Sequence, residues 1–131
     1  MIALDTNVLA RYLLADDANQ TRAARALIED TEAEFWVPIT VVLELAWVLR
    51  TKEVPGGEIA ARLRELLTLR SMHPQMPDAV FQALRWAEQG LDPADALHLA
   101  LSGKASRFLT FDAALARHAG KLGTQPPASV P

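Results

Sequence analysis

Two short stretches of this sequence place an aspartate directly after an apolar run. They are "IALDTNVL", which contains Asp5, and "FLTFDAAL", which contains Asp112. In each stretch the apolar run predicts a strand, and the residues after the aspartate predict the start of a helix. If the strands are parallel, both carboxylates lie at the carboxyl edge of a sheet, where such sheets bind ligands. The alternative is that each aspartate is only the N-cap of its helix, which contributes about 1 kcal/mol.

Glu44 is the only charged residue in "VVLELAWVL", a stretch that is apolar nearly all round when drawn as a helix. Such a helix is expected to be buried, and a lone carboxylate inside it needs a partner. Glu44 is not the capping-box partner of Thr40, because that role falls to position 43. The alternative is a glutamate at the edge of the apolar face, which extends to solvent or pairs with an arginine.

Asp95 lies in "GLDPADALHLA", where a structural explanation is strong. Asp92 is predicted as an N-cap, Pro93 as the first helical residue and Asp95 as an acidic residue of the first turn, all of which are ordinary at a helix start. Taken alone, Asp95 fits a structural role better than a functional one. Asp92 is explained by its cap and is not counted among the candidate ligands.

The four acidic residues acquire a chemical meaning when they are considered together. Neighbouring carboxylates raise one another's pKa, and a divalent cation removes this repulsion. Oxygen ligands of this kind suit Mg²⁺ or Mn²⁺ better than Zn²⁺. Such an ion polarises a phosphate and helps to generate the attacking hydroxide, so the set predicts phosphoryl chemistry. The predicted catalytic and metal-binding residues are Asp5, Glu44, Asp95 and Asp112.

The elements that must position these residues are short strands that alternate with helices. Strands are predicted over 2–4, "EFWVP", "SMH" and "RFLTF". The first helices are predicted over 7–14 and after Asp16 or Asp17 as N-cap. The next are predicted over "VVLELAWVLR" with Thr40 as cap, over 57–69, and over "AVFQALRWAEQ" with Asp78 as cap. The last two are predicted after Asp92 as cap and over "DAALARHAGK". This alternation predicts an α/β fold with a parallel sheet covered on both faces. Residues 1–122 form the expected domain, and "GTQPPASVP", residues 123–131, is expected to be a flexible tail.

Composition excludes several other classes of protein. The chain has 131 residues, half of them apolar, a net charge of -3 and no cysteine, so disulfides and thiolate sites are excluded. We expect a cytoplasmic protein without a membrane partner, because no signal peptide and no apolar stretch of spanning length is visible. Nucleophile-elbow, Walker and zinc-protease motifs are missing. The isolated histidines and the three tryptophans fit ordinary surface, core or interface roles; they are His73, His98, His118, Trp36, Trp47 and Trp86.

The four acidic motifs, in this order and spacing, resemble those of PIN domains. The size and the opening "ALDTNVLARYLLADD" resemble, more narrowly, the VapC toxins of bacterial toxin–antitoxin pairs. The resemblance covers residues 2 to about 120 and implies a three-layer α/β/α fold. It also implies a Mg²⁺- or Mn²⁺-dependent endoribonuclease that cuts structured RNA such as tRNA or rRNA. Many PIN domains have a further strand after the fourth motif, and "GTQPPASVP" is a poor strand.

The resemblance also implies partners and supporting residues. The partners are a VapB-like antitoxin, whose C-terminal segment covers the active site, and further copies of the chain in a homodimer or a dimer of dimers. Thr6 and Asn7 carry over as residues that orient the first carboxylate or a water, and Thr110 is a similar candidate. Arg11, little more than a turn after Asp5, is a candidate for phosphate contact.

The hypothesis from these residues is metal-assisted hydrolysis of an RNA phosphodiester. Asp5, Asp95 and Asp112 hold the ion, while Glu44 completes its shell, orients the attacking water or shares a second ion. One rival is a catalytically silent PIN-like module that only binds RNA or protein, for which an incomplete set of acidic residues is expected. The other is a phosphatase or receiver domain, which requires a different acidic pattern around the first strand.

Overall fold

A computed structural model describes residues 1–30 and 32–131, in which five short strands alternate with seven helices. The strands are β1 (Ile2–Ala3), β2 (Phe35–Val37), β3 (Met72–Pro74), β4 (Phe108–Leu109) and β5 (Ala128–Ser129). The helices are α1 (Thr6–Leu14), α2 (Ala18–Ile28), α3 (Ile39–Thr51), α4 (Gly56–Leu67), α5 (Pro77–Glu88), α6 (Pro93–Leu101) and α7 (Ala113–Leu122). None of these helices is long and apolar enough to cross a membrane.

All strand pairs are parallel, as the alternation of strands and helices predicts. β2 is the centre of a sheet in the order β1–β2–β3, where Phe35 lies opposite Ile2 on one side and Met72 on the other. β4 and β5 form a separate parallel pair. The three-layer α/β/α class with a short parallel sheet is therefore confirmed.

The core forms where the helices cover β2. Phe35 and Val37 of that strand are fully buried, because apolar side chains from the helices close over them. The largest fully buried helix side chains are Leu9, Leu45, Leu49, Ile59, Leu63, Leu66, Val80 and Leu99. Burial of each such side chain stabilises the fold by about 1.5–3 kcal/mol relative to exposure.

Two predicted helix caps are wrong. α3 begins at Ile39, so Thr40 is inside the helix, and the preceding Pro38 has no side chain that can cap it. The backbone N–H of Ile39 instead donates to Oε1 of Gln75, just after β3, at 2.9 Å. α5 begins at Pro77, so Asp78 lies in its first turn rather than at its cap. The proline starts this helix because its fixed φ is already helical and it has no N–H to satisfy.

Residues 123–131 differ from the predicted flexible tail. They contain β5, which pairs with β4: Phe108 N–H donates to the carbonyl of Pro127 at 2.8 Å, and Thr110 N–H to that of Ser129 at 3.0 Å. The segment is anchored because Thr124 and Pro126 are buried. The residues of β5 have little intrinsic preference for a strand, and the two backbone hydrogen bonds and the buried proline hold them in this conformation.

Candidate active site

Asp95 lies half-buried in the first turn of α6, and the surroundings of its carboxyl group change its pKa. Its pKa is raised, first because burial disfavours the charged form and then because Asp92 and Asp112 repel it. His98 and Arg50 offset part of this effect. Asp112, at the start of a different helix, is therefore near enough to act on the charge of Asp95.

Asp92 fixes the start of the helix that carries Asp95. Its Oδ2 accepts a hydrogen bond from the backbone N–H of Asp95 at 3.1 Å, which confirms Asp92 as the N-cap. Its other carboxylate oxygen pairs with the guanidinium of Arg50 at the end of α3. Arg50 had no distinguishing signal in the sequence, because a basic residue in the last turn of a helix is common.

Asp112 is held at the junction of β4 and α7. Its carboxylate accepts a hydrogen bond from Leu115 N–H at 3.0 Å, so it is the N-cap of α7. Its own N–H donates to the hydroxyl of Thr110 at 3.0 Å. Because Thr110 is in turn bonded to Ser129 of β5, the C-terminal strand helps to position Asp112. Thr110 thus contacts the backbone of Asp112, and its role as a supporting residue stays a prediction.

Asp5 follows β1 and caps α1. Its Oδ1 accepts the backbone N–H of Thr6 at 2.8 Å, and its side chain is exposed. The hydroxyl of Thr6 is buried and has no hydrogen-bond partner among residues 1–30 and 32–131. A buried hydroxyl without a partner costs free energy, so this position beside Asp5 favours a bound water or other polar group.

Glu44 is exposed, and the prediction that its helix is buried all round is wrong. The core face of α3 consists of Val41, Val42, Leu45, Ala46 and Leu49. The opposite face is open to solvent and includes Trp47, which is 62% exposed. Because tryptophan is apolar, its presence on this face makes the helix look buried all round in the sequence. Within the described part of the chain, Glu44 forms no ion pair. This arrangement agrees with the alternative of a glutamate that extends to solvent.

Arg11 and Asn7 lie along the cleft between α1 and α2. The guanidinium of Arg11 is bonded to Asp16 at 2.9 and 3.1 Å and to the side-chain oxygen of Gln20 at 2.7 Å. Arg11 therefore links α1 to the start of α2, and its phosphate contact stays a prediction. Asn7 is exposed in this cleft, two residues after Asp5.

The acidic residues do not form a closed ligand cage. Across residues 1–30 and 32–131, no three acidic or histidine side chains are arranged to hold a metal ion. Asp112 is among the groups that raise the pKa of Asp95, whereas Asp5 and Glu44 are not. Mg²⁺ is commonly held by one or two carboxylates and several waters rather than by an all-protein cage. Asp95 and Asp112 supply carboxylate oxygens of the type that such a site uses.

The remaining histidines and tryptophans have mixed environments. His73 pairs with Glu34, and His118 Nε2 lies 3.1 Å from the carbonyl oxygen of Gln89. Trp86 is buried, whereas Trp36 and Trp47 are exposed, which excludes a core role for these two. Trp47 lies beside the start of α6.

Comparison with known proteins adds one finding. The sequence model of a protein family described as the PIN domain matches residues 2–121. The match extends over nearly the whole chain and includes all four predicted acidic residues. No curated protein matches the chain.

Proposed function

This chain belongs to the PIN domain family, and we propose that it is a Mg²⁺- or Mn²⁺-dependent endoribonuclease. PIN domains are commonly nucleases, which supports hydrolysis of a phosphodiester. The observation that carries the proposal is the partly buried Asp95, whose backbone N–H is held by Asp92 and whose pKa is raised by burial and by Asp92 and Asp112. A divalent cation bound there removes a cost that the folded protein otherwise bears.

Each acidic residue has a distinct proposed role. Asp95 and Asp112 hold the ion, which supplies charge neutralisation and a water of lowered pKa when it is bound. Asp5 and Glu44 join this set by their motifs: Asp5 as a further ligand through water, and Glu44 as the group that orients the attacking water. Thr6 supports Asp5 through its backbone N–H, which donates to the carboxylate at 2.8 Å, while its buried hydroxyl has no hydrogen-bond partner within the described residues.

The test is RNA cleavage by the purified protein in Mg²⁺ and in Mn²⁺, with tRNA and rRNA as substrates. We expect cleavage that EDTA abolishes and that Asp5→Asn and Asp95→Asn each reduce strongly. Asparagine is the substitution of choice at Asp5, because it caps a helix about as well as aspartate does. Cleavage at the wild-type rate by both variants would refute the assignment. RNA binding without cleavage would favour the silent binding module.

We also propose that the protein acts as the VapC-type toxin of a toxin–antitoxin pair. The support is the resemblance of "ALDTNVLARYLLADD" to those toxins. Its partners are then a VapB-like antitoxin and further copies of the chain in a homodimer or dimer of dimers. Expression should arrest growth, and the arrest should require Asp5. Co-expression of the antitoxin, which we expect to be encoded by a short reading frame immediately upstream, should relieve it. An absence of arrest would contradict the toxin role without affecting the nuclease proposal.

A further inference from the structure

Two large aromatic side chains near the acidic residues are open to solvent. Trp47 of α3 is 62% exposed, and Phe111, between β4 and α7, is 87% exposed. Aromatic side chains of this size usually bury most of their surface. Exposure of both, close to candidate catalytic residues, calls for a ligand rather than for packing within the domain.

Trp47 lies beside the start of α6. It lines a shallow cleft with Arg50 and with Asp92, Pro93 and Ala94. The indole is therefore next to the residues that directly precede Asp95. It also lies three residues after Glu44, on neighbouring positions of the exposed face of α3. Trp47 is therefore close both to Glu44 on its own helix and to the start of the helix that carries Asp95.

Phe111 directly precedes Asp112 and has a fixed backbone. The hydrogen bond from Asp112 N–H to the Thr110 hydroxyl spans it, and Thr110 is tied to β5. The ring is presented to solvent from a tethered turn instead of a frayed segment. Little further ordering is needed to bind a flat ligand there, which reduces the entropic cost of binding.

We propose that Trp47 and Phe111 each stack against a base of the bound RNA, on nucleotides next to the scissile phosphate. This inference rests on the proposed nuclease function and identifies two substrate-binding residues of that site. Stacking on an aromatic ring accepts any base whose face is free, so it requires unpaired nucleotides. The guanidinium of Arg50 also lines the Trp47 cleft, where it is paired with Asp92, so the cleft offers a flat aromatic face beside a compensated ion pair.

The test is affinity for a fluorescent single-stranded oligoribonucleotide of about eight nucleotides, in EDTA so that it is not cleaved. The variants are Trp47→Ala and Phe111→Ala, with Trp47→Phe and Phe111→Tyr as conservative partners. Leu69→Ala is the matched control, because Leu69 is an exposed apolar residue that lines a different cleft, with Tyr12 and Glu29. We expect each alanine variant to bind about five- to a hundredfold more weakly and the aromatic replacements to retain most of the affinity.

A spectroscopic measurement reports stacking itself. In a Trp36→Phe background the remaining tryptophans are Trp47 and the buried Trp86. Addition of the oligonucleotide should quench fluorescence, and Trp47→Phe should remove most of that change. A duplex of the same sequence should quench less, because its base faces are already stacked.

Several outcomes overturn the inference. They are an absence of binding by the wild-type protein, affinities within twofold of wild type for both alanine variants, and equal losses for Leu69→Ala. A change from dimer to monomer in Trp47→Ala or Phe111→Ala, with RNA affinity unchanged, would instead assign the rings to contact between copies. Cleavage of RNA with wild-type KM in both variants would refute stacking and leave the nuclease proposal intact. RNA binding that depends on the two rings, without any cleavage, would support stacking and refute the nuclease proposal.

Discussion

Arg50 at the end of α3 pairs with Asp92, the residue that caps α6. This ion pair connects the helix that carries Glu44 to the helix that carries Asp95. Because Asp92 also accepts the backbone N–H of Asp95, the position of Asp95 depends on a residue from a different helix. Arg50 is therefore a positioning residue that acts through Asp92 and an electrostatic partner of Asp95.

Replacement of Arg50 by alanine should raise the pKa of Asp95 further, because Arg50 is one of the groups that lower it. The acidic limb of the pH–rate profile for cleavage should then move to higher pH. Stability should change by no more than about 1 kcal/mol, since the arginine is half exposed and exposed pairs contribute little. Arg62→Ala, which breaks an exposed pair with Glu58 on α4, is the control. An identical profile for Arg50→Ala and wild type would count against the electrostatic role.

Asp95→Asn should stabilise the metal-free protein at neutral pH. The pKa of Asp95 is raised by burial and by Asp92 and Asp112, so its ionised form weakens the fold. That cost is present when pH exceeds the folded pKa and disappears below the ordinary value of 3.8. Thermal unfolding in EDTA should therefore show a higher Tm for the variant at pH 7 and no gain at about pH 3.

The control for this measurement is Asp78→Asn, at an exposed acidic residue in the first turn of α5. This substitution should leave the Tm unchanged or lower it, because a negative charge near a helix N-terminus contributes about 0.3–1 kcal/mol. A lower Tm for Asp95→Asn at neutral pH would show that its carboxylate stabilises the fold instead.

Addition of Mg²⁺ or Mn²⁺ should raise the Tm of the wild-type protein. A ligand present at a hundred times its dissociation constant stabilises the folded state by about 2.7 kcal/mol. The shift should disappear with EDTA and in the double variant Asp95→Asn, Asp112→Asn. Retention of the full shift by the double variant would place the ion elsewhere.

Gly90→Ala should destabilise the protein by about 1–3 kcal/mol. Gly90 has a φ of +110°, and an added Cβ would lie 2.6 Å from Cε1 of His118. His118→Ala should rescue the variant only in part, since it removes the collision and leaves the strained backbone. Denaturant unfolding of the two single variants and the double variant measures this coupling. Gly57→Ala, at a helical position with nothing within 4 Å, should be neutral or stabilising.

Features that depend on neighbouring residues could be predicted from the sequence. Asp5 and Asp92 cap their helices as their local patterns indicate, and the alternation of apolar runs predicts a parallel α/β fold. An N-cap or a strand end is decided by a few adjacent residues, so the position of an aspartate at the edge of a sheet is readable directly.

Features that depend on residues far apart in the chain could not be predicted. The cap of α3 comes from Gln75, thirty-six residues away, and β5 is held through backbone bonds to β4. The exposure of Glu44 was obscured because Trp47 gives the solvent face of α3 an apolar residue. A residue that binds a partner outside the chain breaks the hydrophobic pattern from which burial is inferred.

Two aspartates that have the same structural role distinguish a metal site from a helix cap. Asp112 caps α7 and raises the pKa of Asp95, whereas Asp17 caps α2 and accepts Gln20 N–H at 2.9 Å. Asparagine preserves both caps, so any difference reports the site and not the fold. In Mg²⁺, Asp112→Asn should cleave RNA on the order of a hundredfold more slowly than wild type, and Asp17→Asn at the wild-type rate. Equal rates for the two variants would contradict a metal-dependent nuclease site at Asp95 and Asp112.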